Sequence, residues 1–319
     1  MTLTDRQSNM FNISKAFALI SIVLAHMPYG NNDALVKAVQ GNLAQVGVFI
    51  YFFCSGFFYK RKENDTKSFW LKKLKTVIIP WIIIGSGTFA ISFALSGFET
   101  NGLFVRYVKW VLGIGSIYWY MLILVICFAL FKFIHNNDIL LCVCVIVSLV
   151  SVYLSAFKII EFNQYLNVFN WIGVFALGVL IRNRGMIEKL HSSLLGIVSL
   201  IFFVVFTVIS SMRCIPIKSY IDAYSFPVEV TACIVVFWLS YHLCNNKLLI
   251  DIGKKSFFVY LSHVQVAGAL NTRLPHNVPL LILRPFIVIV ICYVFAKVLE
   301  TLLKKSHLCN RFGSYLALR

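Results

Sequence analysis

Charge is what this chain has least of. Asp, Glu, Lys and Arg make up 13% of its 319 residues, roughly half their share in an ordinary soluble domain. That is too little polar side chain to clothe a water-facing surface of this size. Strand-like alternation is missing too: Val77 to Phe89 and Leu194 to Val208 are apolar almost throughout, which argues against a membrane β-barrel. The nine cysteines contain no CxxC pair and lie mostly inside apolar runs, so neither a metal site nor a disulfide framework is expected. No linker, low-complexity tract or convincing repeat interrupts the chain, and residues 1–319 read as one integral membrane domain. A small-residue cleavage site is also lacking after the first apolar run, where Ala25-His26-Met27-Pro28 is a poor match. That run is expected to remain as a span.

What the chain has instead is hydrophobic sequence, 60% of it. Ten apolar runs recur near residues 11 to 28, 44 to 59, 76 to 97, 116 to 134, 139 to 157, 166 to 181, 192 to 211, 225 to 243, 256 to 271 and 281 to 302. A bilayer core needs about 20 such residues per helix, and a helix satisfies its own backbone where no water is present. The expected fold is therefore all-α, a polytopic membrane bundle of about ten transmembrane helices. With the N-terminus inside, the inner loops carry nineteen lysines and arginines and the outer loops seven. This bias puts both termini in the cytoplasm. The net charge of +17 is spread over these short loops, so topology explains it better than nucleic-acid binding.

Ionisable residues inside spans are costly and point to function. They are Lys15, His26, Glu229, His242, His263, Arg284 and Lys297. Lys15 and His26 lie eleven positions apart on the first run, a rotation that returns to within about 20° of one face over roughly 16 Å. The plainer alternative is a lysine snorkelling to the headgroups and an interfacial histidine. At the end of the second run, Ser55-Gly56 offers a small surface to either a neighbouring helix or a ligand.

Lys15 and His26, followed by Phe52-Phe53-Cys54-Ser55-Gly56-Phe57, resemble acyltransferase family 3, multispanning membrane enzymes that acylate bacterial surface glycans and other extracytoplasmic acceptors. Further matches follow in order along essentially the whole chain: Lys72-Lys73-Leu74-Lys75 before Ile79-Pro80-Trp81, Tyr118-Trp119-Tyr120, Gly173 to Gly178 before Arg182, and Ser256 to His263. Lysine stands at position 15 where many relatives have arginine, which keeps the charge and loses the bidentate fork. Lys72 and Lys75 likewise stand where arginines are common. The esterase-like domain fused to some relatives is not expected here.

The resemblance implies an O-acyltransferase at the bacterial inner membrane, using acetyl-CoA or another acyl-CoA as donor and a saccharide as acceptor. His26 becomes the general base, since imidazole takes and returns a proton near neutrality, with a transient acyl-histidine as the alternative. The phosphates of the donor call for a basic, inward-facing surface. Lys15, Arg61, Lys72 and Lys75 are its candidates, in a loop from Lys60 to Lys75 whose seven cations face only Glu63 and Asp65. The positive-inside rule alone would also produce that loop. Ser55, Trp119, Tyr120, Tyr260 and His263 are candidates for acceptor binding or orientation. An aromatic belt for the Trp119 cluster and a satisfied buried histidine at His263 are the competing readings. Glu229 could orient His26, bind sugar hydroxyls, pair with Arg284 or sit on a helix dipole. A polysaccharide exporter is the main alternative for the whole chain, although the paired helix breaks of such a transporter are not found.

Overall fold

The computed structural model describes residues 3–27, 42–44, 46–60, 66–95, 100–160, 162–212, 225–273, 278–305, 313 and 315–318. Among them there are helices and no strand. The order is α1 (Asp5–Ala25), α2 (Val46–Phe57), α3 (Thr66–Leu95), α4 (Leu103–Val111), α5 (Trp119–Ile134), α6 (Asp138–Ala156) and α7 (Phe169–Asn183). There follow α8 (Ile187–Leu190), α9 (Ser193–Met212), α10 (Ser225–His242), α11 (Lys247–Lys254), α12 (Ser256–Arg273) and α13 (Val278–Lys305). Each of the ten apolar runs lies on one of these helices. The windows Asp5–Ala25, Thr66–Leu95, Asp138–Ala156 and Ile282–Lys305 are long and apolar enough to cross a membrane, and several shorter apolar helices accompany them. The short helices α4, α8 and α11 fall in segments that hydropathy leaves as loops.

The first unit comprises residues 1–59 and 123–253. Its helices pack in the succession α6, α7, α2, α1, α10, α9. α1 is an interior helix: 56% of its apolar window is buried, against 22% in each of the other three long spans. A capping box starts it, with Thr4 Oγ1 accepting from the Gln7 backbone N–H and the Gln7 side chain accepting from that of Thr4. This satisfies two of the donors that a helix start leaves orphaned. α2 is buried on nearly every side, which explains its unbroken apolar sequence. At the α2–α7 crossing, Gly56 and Gly178 let the backbones touch. A Cβ on Gly56 would collide with the Phe175 carbonyl, and one on Gly178 with the Phe53 carbonyl oxygen and the Phe57 nitrogen. From α7, Arg182 donates to the Phe57 and Tyr59 carbonyls at 3.0 and 3.3 Å, filling acceptors that the end of α2 cannot pair itself.

The N-terminal edge of this unit holds a cationic stack. Arg6 lies 4.4 Å over the Tyr241 ring, and His191, in the turn between α8 and α9, stacks on the same ring at 3.9 Å. Burial first of all, against an opposing pull from Glu188, holds the His191 imidazole below its ordinary value. Its Nε2 is enclosed with no hydrogen-bond partner among the described residues. The folded state thus prefers neutral His191 while the unfolded chain binds a proton more readily, so this stabilisation is present above about pH 6.5 and lost as pH falls below it. In detergent, the melting temperature is expected to drop between pH 7.5 and 5.5, and to drop less in His191→Gln. An identical drop in both proteins would exclude His191 as the cause.

The second unit comprises residues 60–122 and 254–319. α12 packs against α13 and α3, and α4 packs on α3. Helix α3 begins at Thr66, so the basic segment expected as a loop up to Lys75 is helical over its second half. Within α3, residues Leu74–Ile78 form a π-helical turn, closed by the Ile79 N–H bonding to the Leu74 carbonyl. Pro80 lies just beyond: its ring has no N–H to offer and crowds the carbonyl four residues back, and the widened turn accommodates both. Lys255, 4% exposed, is paired with Glu300 at 2.6 Å, and Glu300 also receives Lys304 at 2.7 Å. Between these ends, Phe258, Ala296, Ala317 and Leu318 form a small apolar core.

Candidate functional site

In the first unit the candidates converge on α1, α2 and α10. Lys15 stands halfway along α1, about 15 Å from its start at 1.5 Å per residue. The capping box carries α1 about two turns beyond the start of its apolar run at residue 11. The lysine is half-buried, and Tyr51 of α2 donates its hydroxyl to the Lys15 carbonyl at 3.4 Å. Cys54 of α2 is within electrostatic reach of Lys15. Cys233 of α10 is likewise within reach of Cys54 and of Glu229, which lies one turn earlier on the same helix. Glu229 is fully buried. Three helices therefore bring a cation, a carboxyl group and two thiols into one enclosed layer, an association that the sequence reading did not foresee. Glu229 belongs to this unit and Arg284 to the other. Ser55 is half-buried beside Cys54. Its neighbour Gly56 is occupied by the α7 backbone, so the small surface there serves helix packing.

His26 occupies the C-cap of α1, with φ −100° and ψ 6°. Its backbone N–H still bonds to Val23 at 3.0 Å, which holds the residue at the end of the helix. The side chain is exposed while Met27 beside it is buried. An imidazole at this place stands at the end of a rigid element.

In the second unit a polar network joins α3, the start of α5 and α12. Tyr118 shares its hydroxyl with Thr88 at 2.8 Å and reaches the Leu261 carbonyl at 2.9 Å. Tyr260 donates to the Ile117 carbonyl at 2.7 Å and meets the Tyr120 ring edge-on at 5.6 Å. Tyr118 and Tyr120 are buried. Trp119 is half-buried. His263 is fully buried with Nδ1 2.7 Å from the Tyr260 carbonyl. A carbonyl can only accept, so Nδ1 carries a proton, and in the neutral ring Nε2 is left as the basic nitrogen. Gln265 adds bonds to the Thr88 carbonyl and Ser92 Oγ, both at 3.0 Å. Lys72 and Lys75 lie exposed on the first turns of α3. Arg61 lies outside the described residues.

Apolar helices that carry enclosed charged, thiol and imidazole groups define a multi-pass membrane protein with polar chemistry inside its spans. The model of acyltransferase family 3, described as an acyltransferase domain, matches residues 10–299. The chain belongs to that family and is a membrane acyltransferase. No curated protein and no solved structure matches it.

Proposed function

We propose that this protein transfers an acetyl or other short acyl group from cytoplasmic acyl-CoA to a saccharide hydroxyl on the outer side of a bacterial inner membrane. The observation that carries the reading is Lys15 and His26 on α1, the most enclosed long span, in a chain of this family. His26 takes the proton of the acceptor hydroxyl as its oxygen attacks the thioester carbonyl. The new C–O bond forms, the C–S bond breaks, and the imidazolium returns its proton to the departing thiolate. Lys15 brings positive charge toward the acyl donor, and Lys72, Lys75 and Arg61 attract its phosphates from the cytoplasm. Ser55, Trp119, Tyr120, Tyr260 and His263 bind or orient the acceptor, with Glu229 holding the interior charge balance near Lys15. Membrane lipid surrounds the spans, and both termini face the cytoplasm.

The test uses sealed vesicles supplied externally with labelled acetyl-CoA. Inside-out vesicles are expected to label the saccharide within, and right-side-out vesicles to remain unlabelled. Movement of intact saccharide with no gain of an acyl group would instead identify an exporter. Replacing Lys72 and Lys75 together by glutamine is expected to raise the apparent KM for acetyl-CoA several-fold and to flatten its salt dependence, because exposed charges act through a field that salt screens. An unchanged KM in that double variant would remove both lysines from donor recognition.

A further inference from the structure

The end of α6 carries a site that the transfer reaction does not use. Two adjoining cavities meet there. One, of 720 Å³, is an apolar trough along the outward side of α6, lined by Ile146, Val147, Val150 and Leu154 and closed by Phe162 and Phe169. The other, of 410 Å³, has more polar walls and includes Ser155, Lys158, Asn163, Gln164 and Tyr165. Ile160 and Phe162 belong to both walls, so the two are continuous.

The polar mouth is held in shape by hydrogen bonds. Asn170 of α7 accepts from Ser151 at 2.6 Å and donates to the Gln164 carbonyl at 3.0 Å, while Asn167 donates to Ser151 at 3.1 Å. Trp171 donates from its ring N–H to the Tyr165 carbonyl at 3.1 Å. These bonds tie the segment after α6 to both helices, so the pocket exists without a ligand to order it. Lys158 stands at its edge with φ +57°, a left-handed conformation that glycine adopts freely and a side chain resists. A lysine at a place suited to glycine puts a cation where the helix ends and the polar pocket begins.

Val150 is 52% exposed and Ile146 60%. In a membrane protein such side chains meet hydrocarbon. A trough of hydrocarbon-facing side chains that opens at a helix end onto one cation and several amide and hydroxyl groups matches an amphiphile with a long chain and an anionic head. We propose that this site binds one anionic phospholipid of the surrounding bilayer, its acyl chain in the trough and its phosphate beside Lys158. The inference stands apart from acyl transfer and from which side of the membrane the site faces.

The test uses the full-length protein in nanodiscs of phosphatidylcholine with a minority of phosphatidylglycerol, and native mass spectrometry of the lipids that stay bound on release. Phosphatidylglycerol is expected to be retained about tenfold over phosphatidylcholine, about 1.4 kcal/mol, because phosphatidylcholine has the same phosphate but adds a choline cation that Lys158 repels. Lys158→Gly relaxes the backbone and removes the charge, so it should abolish the preference while lipid of either kind still binds. Val150→Trp fills the trough and should release both lipids from a protein that elutes and shows helical dichroism as the parent does. Equal retention of both lipids by the parent protein, or an undiminished preference in Lys158→Gly, would overturn the proposal. So would disulfide cross-linking of two copies through Ile146→Cys with no lipid retained, which would make the trough an interface between chains.

Discussion

His26→Ala is expected to lower acyl transfer by roughly 10²–10⁴-fold, the usual contribution of a positioned general acid–base group. The protein should remain folded and inserted. His26 sits at the C-cap of α1 and not within the packed middle of the helix. Its helix-end bond is made by the backbone N–H, which alanine keeps. Transfer of label from acetyl-CoA to saccharide, measured beside the elution profile of the purified protein, separates loss of chemistry from loss of fold. Activity at the parent level would take His26 out of the mechanism. Failure of the variant to insert would mean that the side chain serves the fold.

The second large effect concerns stability. Gly56→Ala is expected to destabilise the protein by at least about 3 kcal/mol, the upper part of the range for overpacked cores. The added methyl would fall on the backbone of α7, with the Phe175 carbonyl carbon at 2.8 Å, and a helix backbone cannot rotate aside as a flexible side chain can. Gly87→Ala in α3 is the control: nothing lies within 4 Å of its Cβ position, so removing a helical glycine there should gain about 0.5–1 kcal/mol. Thermal unfolding in detergent, followed by helical dichroism, would compare the two. Similar melting temperatures for the two variants would show that the α2–α7 crossing yields more readily than its geometry indicates.

The motif residues divide in an instructive way. Gly178 and Arg182 match the family pattern, and the structure gives both a role in the fold, the first in close helix approach and the second in capping α2. Tyr118 shows the opposite limit of reading from sequence. Its aromatic neighbours and its place at the end of an apolar run suggest an interfacial belt, whereas its hydroxyl is enclosed by partners on α3 and α12. The belt is a statement about depth in a membrane and says nothing about neighbours. The basic segment before Pro80 was visible as charge, yet its helical start at Thr66 and its π-helical turn were not. Hydropathy registers apolar side chains, and the first two turns of α3 carry lysines.

The order of residues was enough for the membrane class, the all-helical fold and the family. Each depends on local quantities: the length of an apolar run, the need of a backbone to satisfy itself in hydrocarbon, and short motifs in sequence. The companionship of the polar groups depended on tertiary structure. Cys54 and Cys233 come from α2 and α10, and Tyr118 bonds across 143 positions to Leu261. Helical periodicity states which face of a helix a residue occupies. Only the packing of one helix on another states what that face meets, because complementary surfaces far apart in the chain select each other by close contact and by the cost of leaving a buried polar group unpaired.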